Sequence, residues 1–148
     1  MTRRRATDDD GLAGWVGDWR RLRAGEAATR PDMLDQALLL ARDGASAFRV
    51  VAAGPAARRR TGLAFGADFA SVFAPACRAR ARRLLARAAA SPQPTMARLP
   101  LARPLQEEDA YHASPDLVPA PPAFLLLPVR NGPRGEACLI AGFAQGRR

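Results

Sequence analysis

The first hydrophobic pattern along the chain has the period of an α-helix. Four large apolar residues recur at spacings of three and four, which places them on one helical face. These residues are Leu12, Trp15, Trp19 and Leu22. Because Asp9 or Asp10 can cap the start and Gly25 ends the pattern, we predict an amphipathic helix over residues 10–25. Its apolar face needs a surface to pack against.

Two short apolar runs then predict a pair of strands. The first occupies residues 37–43, and the second runs from Ala47 to Gly54. The Asp43-Gly44 pair between them is typical of a tight turn that joins two antiparallel strands. Just before the pair, the pattern predicts a short helix over residues 33–37.

The middle of the chain predicts helices. Gly54-Pro55 ends the second strand and starts a helical turn over residues 56–61, and the longest helix extends over residues 75–90. Between these segments three phenylalanines recur every fourth residue, a spacing typical of one buried helical face. They are Phe65, Phe69 and Phe73. We expect their rings to lie in the core or to line a pocket.

The last third of the chain predicts three strands. They span residues 95–103, 123–130 and 136–145. A long proline-rich loop, residues 104–122, separates the first two. In 124–127 and 138–141 the apolar residues do not alternate with polar ones, which indicates that both faces of these strands are covered. The helices of 56–90 cover one face, and the helix over 10–25 or a partner chain covers the other.

Chain length and composition indicate one small domain. The 148 residues are close to the commonest domain size. We predict that residues 1–9 are a charged, disordered lead and that residues 10–148 form the domain, with its core in 33–145. The start lacks the apolar run of a secretory signal, and no segment approaches eighteen consecutive apolar residues. We therefore expect a cytoplasmic location and no insertion into a membrane.

The net charge of +9 is the difference between 23 basic and 14 acidic residues, and every basic residue is an arginine. Together with abundant Ala, Gly and Pro, this bias indicates GC-rich codon usage, which supplies arginine without any need for a polyanion. The arginine content is therefore not evidence for a nucleic-acid partner, and we do not predict one. The alternative interpretation is an Arg-rich nucleic-acid-binding protein that uses residues 58–60 and 78–87, with steeply salt-dependent binding.

Residues typical of an active site are scarce in this chain. His112 is the single histidine and lies in an acidic loop that also contains Glu107. Cys77 and Cys138 are far apart, without the paired spacing of a zinc site. Without a nucleophile motif or a phosphate-binding loop, we predict no enzyme active site and no metal site. An enzyme of unfamiliar type, built around His112 and Glu107, is the remaining catalytic alternative.

The order of the predicted elements resembles that of the PAS domain. Over residues 12–144, short motifs also follow one another as in bacterial stand-alone PAS proteins. The motifs are Trp19-Arg-Arg-Leu-Arg23, Arg30-Pro31-Asp32, Phe48-Arg49-Val50-Val51-Ala-Ala-Gly54, Thr61-Gly62-Leu-Ala-Phe-Gly66, Leu126-Leu-Pro128-Val129 and Ile140-Ala-Gly142. The resemblance implies an α+β fold with a five-stranded antiparallel sheet and helices packed on one face. It also implies a role in sensing or in protein association.

The leading hypothesis from this resemblance is a non-catalytic regulatory module. It binds a small apolar or amphipathic ligand, or only a partner signalling protein or a second copy in a homodimer. The predicted pocket wall is Phe48, Val50, Phe65, Phe69, Phe73, Leu84 and Leu126. The same residues would serve equally well to close a dry core. The predicted interaction surface is the helix that carries Leu12, Trp15, Trp19 and Leu22.

We predict no cofactor for this domain. A haem-binding relative would need an axial histidine on the helical side, whereas His112 lies in a loop. A photoactive flavin relative carries its cysteine in an Asn-Cys-Arg-Phe-Leu-Gln segment. Residues 76–80 share only the Cys77-Arg78 pair with that segment.

Overall fold

The structure is a computed structural model, which describes residues 14–21, 35–44, 47–106, 121–129 and 137–144. Within these ranges the chain forms five strands and three helices. The helices are α1 (14–21), α2 (Pro55–Thr61) and α3 (Arg78–Ala90). The strands are β1 (Leu38–Asp43), β2 (Ala47–Ala53), β3 (Thr95–Arg98), β4 (Ala123–Val129) and β5 (Cys138–Phe143).

All five strands belong to one antiparallel sheet, in the order β2-β1-β5-β4-β3. The predicted pairing of the first two strands is confirmed, with Asp43 opposite Ala47. Gly44 after β1 has φ 82, a left-handed conformation that glycine adopts without strain. The α+β class and the five-stranded antiparallel sheet predicted from the sequence are therefore observed.

A bulge in β2 changes which residues face the helices. Leu39 pairs with Ala52 and Leu40 pairs with Val50, so Val51 is the extra residue between them. Because one extra residue shifts the alternation of side chains, Val50 and Ala53 both pack on the same core. The bulge extends the apolar surface of this edge strand toward α2.

The helical segment between β2 and β3 covers one face of the sheet, called here the inner face. Helix α2 starts with Pro55 at its first turn and ends at Gly62, which has φ 74 and whose N–H donates to the Arg58 carbonyl. Helix α3 buries Ala81, Leu85 and Ala88, which recur at spacings of four and three. The predicted cover of this face by residues 56–90 is confirmed.

The prediction that Phe65 is buried with Phe69 and Phe73 is wrong. The Phe65 side chain is 78% exposed, whereas the other two rings are fully buried. A spacing of four places residues on one face only where the backbone is regular, as in a helix or a strand. Here the chain instead turns from Ala64 to Ala67, with Gly66 at φ 90, before a single 3₁₀ turn over Phe69–Val72.

The third predicted strand is shorter than expected. Strand β3 ends at Arg98, and Pro100 follows two residues later. Proline cannot donate to a strand ladder, which explains the early end. Beyond it, Leu101 forms an isolated antiparallel bridge with Phe73.

Several sequence-based predictions concern residues outside the described part of the chain. Among them are the disordered lead, the ends of the helix predicted over 10–25, and most of the long loop. They include residues 1–9, Leu12, Leu22 and residues 107–120. In the described ranges, no helix combines the length and apolar character required to cross a bilayer.

Asp68 connects three parts of the inner face. One carboxylate oxygen accepts from the Ala70 N–H at 3.1 Å and so caps the 3₁₀ turn, while the other accepts from Arg82 of α3 at 3.0 Å. Asp68 also forms a bridge with Arg49 of β2. This residue therefore ties the turn to both the long helix and the edge strand.

Replacing this residue tests that role. We expect Asp68→Ala to lower the free energy of unfolding by about 1–2 kcal/mol, because both a cap and a half-buried ion pair are lost. The matched control is Asp43→Ala, which removes an exposed ion pair with Arg49 and is expected to cost less than about 1 kcal/mol. Urea unfolding measures both, and equal costs would contradict the role of Asp68.

Candidate functional site on the two faces of the sheet

Four phenylalanine rings form the centre of the inner face. Phe69 and Phe73 come from the 3₁₀ turn and its end, and they meet the rings that project from β4 and β5. The Phe73 and Phe124 centroids are 5.0 Å apart, and those of Phe124 and Phe143 are 5.6 Å apart. Phe69 meets Phe73 edge to face at 5.5 Å. Such offset arrangements stabilise an apolar site beyond the burial of area alone.

The structure brings six of the seven residues predicted to wall a pocket into this inner core. Five of them are buried, namely Phe48, Val50, Phe69, Phe73 and Leu126. Leu84 is half-buried and packs against the same cluster, whereas Phe65 lies outside it. That this wall encloses a ligand stays a prediction.

Sequence reasoning missed two members of the aromatic cluster, Phe124 and Phe143. Both lie in apolar runs that the sequence predicts as strands, without a predicted side of the sheet for either ring. Alternation from Leu126, an assigned pocket residue on β4, would have placed Phe124 on the same face. Phe143 could have been assigned only after the pairing of β4 with β5 was known, because it lies opposite Phe124.

The opposite face of the sheet, called here the outer face, is covered by α1. Trp15 is 5% exposed and Trp19 is 3% exposed, and both pack with side chains of β4. The strand residues in this outer cluster are Ala123, Leu125 and Leu127. The sequence left two candidates to cover this face, the tryptophan helix or a partner chain, and the structure places the tryptophan helix there.

Trp15 lies directly against the backbone of β5. A Cβ atom added at Gly142 would lie 2.1 Å from the Cη2 and Cζ3 atoms of the Trp15 ring. Real side chains do not approach this closely, so any larger residue at this position would displace the ring. Gly142 therefore sets the position of α1 on the outer face.

Trp19 is held by a hydrogen bond as well as by packing. Its Nε1–H donates to the carbonyl oxygen of Pro128 in β4 at 2.6 Å. Strand β3 pairs with β4 only from Ala123 to Leu126, so Pro128 lies beyond the end of that ladder. The tryptophan thus satisfies a strand carbonyl and its own buried N–H in one bond.

Between the two tryptophans, α1 also buries a carboxylate. Asp18 is 1% exposed and accepts from the Arg21 guanidinium at 3.4 Å, one turn further along the helix. Charge-assisted pairing of this kind is what allows a carboxylate to lie at a packed interface. Helix α1 is therefore attached to the sheet by its tryptophan rings, and the Asp18–Arg21 ion pair lies within the helix itself.

The arginines assigned to the alternative nucleic-acid surface do not act as one group. Three of them donate to groups of the fold itself. Arg60 donates to the carbonyls of Phe143 and Ala144, at 3.2 and 2.9 Å. Arg78 donates to the Phe73 carbonyl, and Arg82 pairs with Asp68. These three hold the end of β5 and the 3₁₀ turn in place.

The described residues include no group of three or more His, Cys, Asp or Glu side chains placed to hold a metal ion. Cys77 is half-buried and Cys138 is buried. His112 and Glu107, the centre of the catalytic alternative, lie outside the described part of the chain.

No protein-family model, curated protein or solved structure matches this chain.

The close approach of the Trp15 ring to Gly142 can be tested by substitution. We expect Gly142→Ala to cost about 1–3 kcal/mol of unfolding free energy, because the added methyl group overpacks the ring. The cost should largely disappear in a Trp15→Ala background. Because both tryptophans of the chain lie on α1, a red shift of the Trp emission reports its displacement.

Gly17→Ala provides the matched control on α1 itself. A Cβ at this position would have the Arg21 side chain as its nearest neighbour, at 4.0 Å, so the change should stabilise the helix by up to about 1 kcal/mol. A Gly142→Ala protein with unchanged emission and stability would contradict the close approach.

Proposed function

We propose that this chain is a non-catalytic, cytoplasmic regulatory module of the PAS type. It binds a small apolar or amphipathic ligand, or a partner protein, and passes the change to helix α1. The observed order of strands and helices supports the proposal, because it agrees with the predicted order that resembles the PAS domain. Two strands precede a helical segment, three strands follow it, and the helices of that segment pack on one face of the sheet.

One observation carries the proposal: β4 and β5 contribute to both clusters. In β4 the inner side chains of Phe124 and Leu126 alternate with the outer side chain of Leu125. In β5 the inner ring of Phe143 is the next residue after Gly142, which contacts Trp15. Each strand therefore links the aromatic core to the tryptophan helix within a single residue.

This arrangement provides a short physical route between the two faces. A ligand that enters the inner core has to displace one of the phenylalanine rings, because protein cores are close-packed. Moving the ring of Phe124 or Phe143 moves the strand that carries it. Since a Cβ would not fit between Gly142 and Trp15, a small shift of β5 changes the position in which α1 packs on the sheet.

The chemistry of the inner face limits the ligand class. Its centre is made of phenylalanine rings and aliphatic side chains. The polar groups of Arg82 and Asp68 pair with each other at the rim of the same layer. An apolar molecule with at most one polar end fits such surroundings, whereas a charged metabolite would lose its hydration without compensation.

Native mass spectrometry tests the binding part of the proposal. We expect the purified protein to carry a non-covalently bound small molecule or to appear as a dimer, because the module acts by binding. Thermal unfolding with added fatty acids provides the second measurement, since a ligand of the folded state raises the melting temperature. A bare monomer that no apolar molecule stabilises would contradict the ligand branch.

Hydrogen exchange tests the route from core to helix. We expect Phe124→Leu to accelerate exchange of the α1 amides by about tenfold more than it accelerates exchange in β2. Val50→Ala is the matched control, because it removes inner-face volume from a strand that does not contact the tryptophans. If α1 responds equally to both substitutions, the change is one of global stability and the route is contradicted.

A further inference from the structure

Helix α3 carries an unusual charge pattern. Its sequence, RARARRLLARAAA, contains five arginines and no acidic residue. Two of these arginines are used within the domain, since Arg78 donates to the carbonyls of Phe73 and Ser71 and Arg82 pairs with Asp68. The remaining three have a different environment.

Arg80, Arg83 and Arg87 are exposed and recur at spacings of three and four. They therefore form one stripe on the helix side that faces away from the sheet, opposite the buried Leu85. Within the described part of the chain, none of the three makes a hydrogen bond or an ion pair. We call these three residues the arginine stripe.

The described carboxylates are all engaged elsewhere. Asp18 pairs with Arg21, Asp43 with Arg49 and Asp68 with Arg82, while Asp35 accepts from the Ala56 N–H at 3.0 Å. Like charges three and four residues apart repel each other along a helix. A cation near the helix start is also unfavourable next to the positive end of the macrodipole, which applies to Arg80. The isolated helix is thus less stable than the same helix with carboxylates beside it.

We infer that the arginine stripe binds an acidic helix of a partner protein. Seven residues of helix rise by about 10 Å, so the stripe matches carboxylates placed at the same spacings on an opposing helix. The neighbouring residues on this side, Ala79 and Ala90, are exposed and small. They allow a second helix to approach closely, at the distances of ordinary helix packing.

Charge also decides between this occupant and two others. A second copy of the chain would bring the same three arginines against themselves in a two-fold interface, which is repulsive. A nucleic acid would gain contacts with only a few phosphates along so short a stripe. It would also lack an aromatic platform, because the exposed aromatic ring of the described residues, Phe65, is not on α3.

This inference rests on the partner-binding branch of the proposed function and names the chemistry of that partner. It places the partner on the helical side of the domain, whereas α1 lies on the outer face of the sheet. The two surfaces can therefore be altered separately. A failure of the stripe to bind leaves the ligand and hydrogen-exchange results of the proposed function untouched.

The experiment uses the full chain and a synthetic probe. The probe is a fluorescein-labelled helical peptide of roughly 20 residues, rich in Ala and Leu, with Glu at spacings of three and four on one face. A shuffled peptide of the same composition is the reference. Fluorescence anisotropy at low salt should show tighter binding of the patterned peptide by about tenfold, lost as salt is raised.

The key variant is Arg83→Glu, and Arg59→Glu of α2 is its matched control. Both residues are exposed, and both changes alter the net charge equally. We expect Arg83→Glu to weaken binding of the patterned peptide by about tenfold and to raise the melting temperature by about 2 °C, because repulsion along α3 is relieved. Arg59→Glu should change the affinity by less than about twofold.

Three results would overturn the inference. If the two variants weaken binding of the patterned peptide equally, binding depends on net charge and not on the arginine stripe. Equal binding of patterned and shuffled peptides, or none at low salt, would exclude an acidic helix as the occupant. Tighter binding of a duplex DNA of similar charge, lost in Arg83→Glu, would assign the stripe to nucleic acid.

Discussion

The fold depends on the need to cover both faces of β4 and β5. Their side chains are apolar on either side of the sheet, so neither face can be left in water. The helical segment after β2 covers the inner face and α1 covers the outer one. The bulge at Val51, the aromatic cluster and the glycine under Trp15 each make one of these two contacts closer.

The two layers are attached by different physical means. The inner layer combines aromatic packing with polar ties, in which Asp68, Arg78 and Arg82 connect the 3₁₀ turn to α3. The outer layer is a short helix held by two tryptophans and one strand carbonyl. The sheet therefore carries an aromatic core with polar ties on one face and a tryptophan-anchored helix on the other.

The sequence predicted those features whose cause is local. Three such features are the Asp43-Gly44 turn, the long helix that ends at Ser91-Pro92, and the apolar runs of the last two strands. Local reasoning failed at Phe65, because a spacing of four places residues on one face only where the backbone is regular, as in a helix or a strand. That segment is a turn, and its conformation depends on the edge of β2, where the Gly66 N–H donates to the Val50 carbonyl at 2.8 Å.

By itself, the sequence determined the order of the strands and main helices, and the requirement that something cover each face of the last two strands. It also determined the excess of arginine and the scarcity of groups suited to catalysis. Tertiary structure decided which partner each group has. Trp19 and Pro128 are 109 residues apart, and no periodicity along the chain relates them. The same holds for the arginines of α3. Arg82 reaches Asp68 and Arg78 reaches the carbonyls of Phe73 and Ser71, whereas Arg80, Arg83 and Arg87 face solvent, because these contacts depend on distance in space.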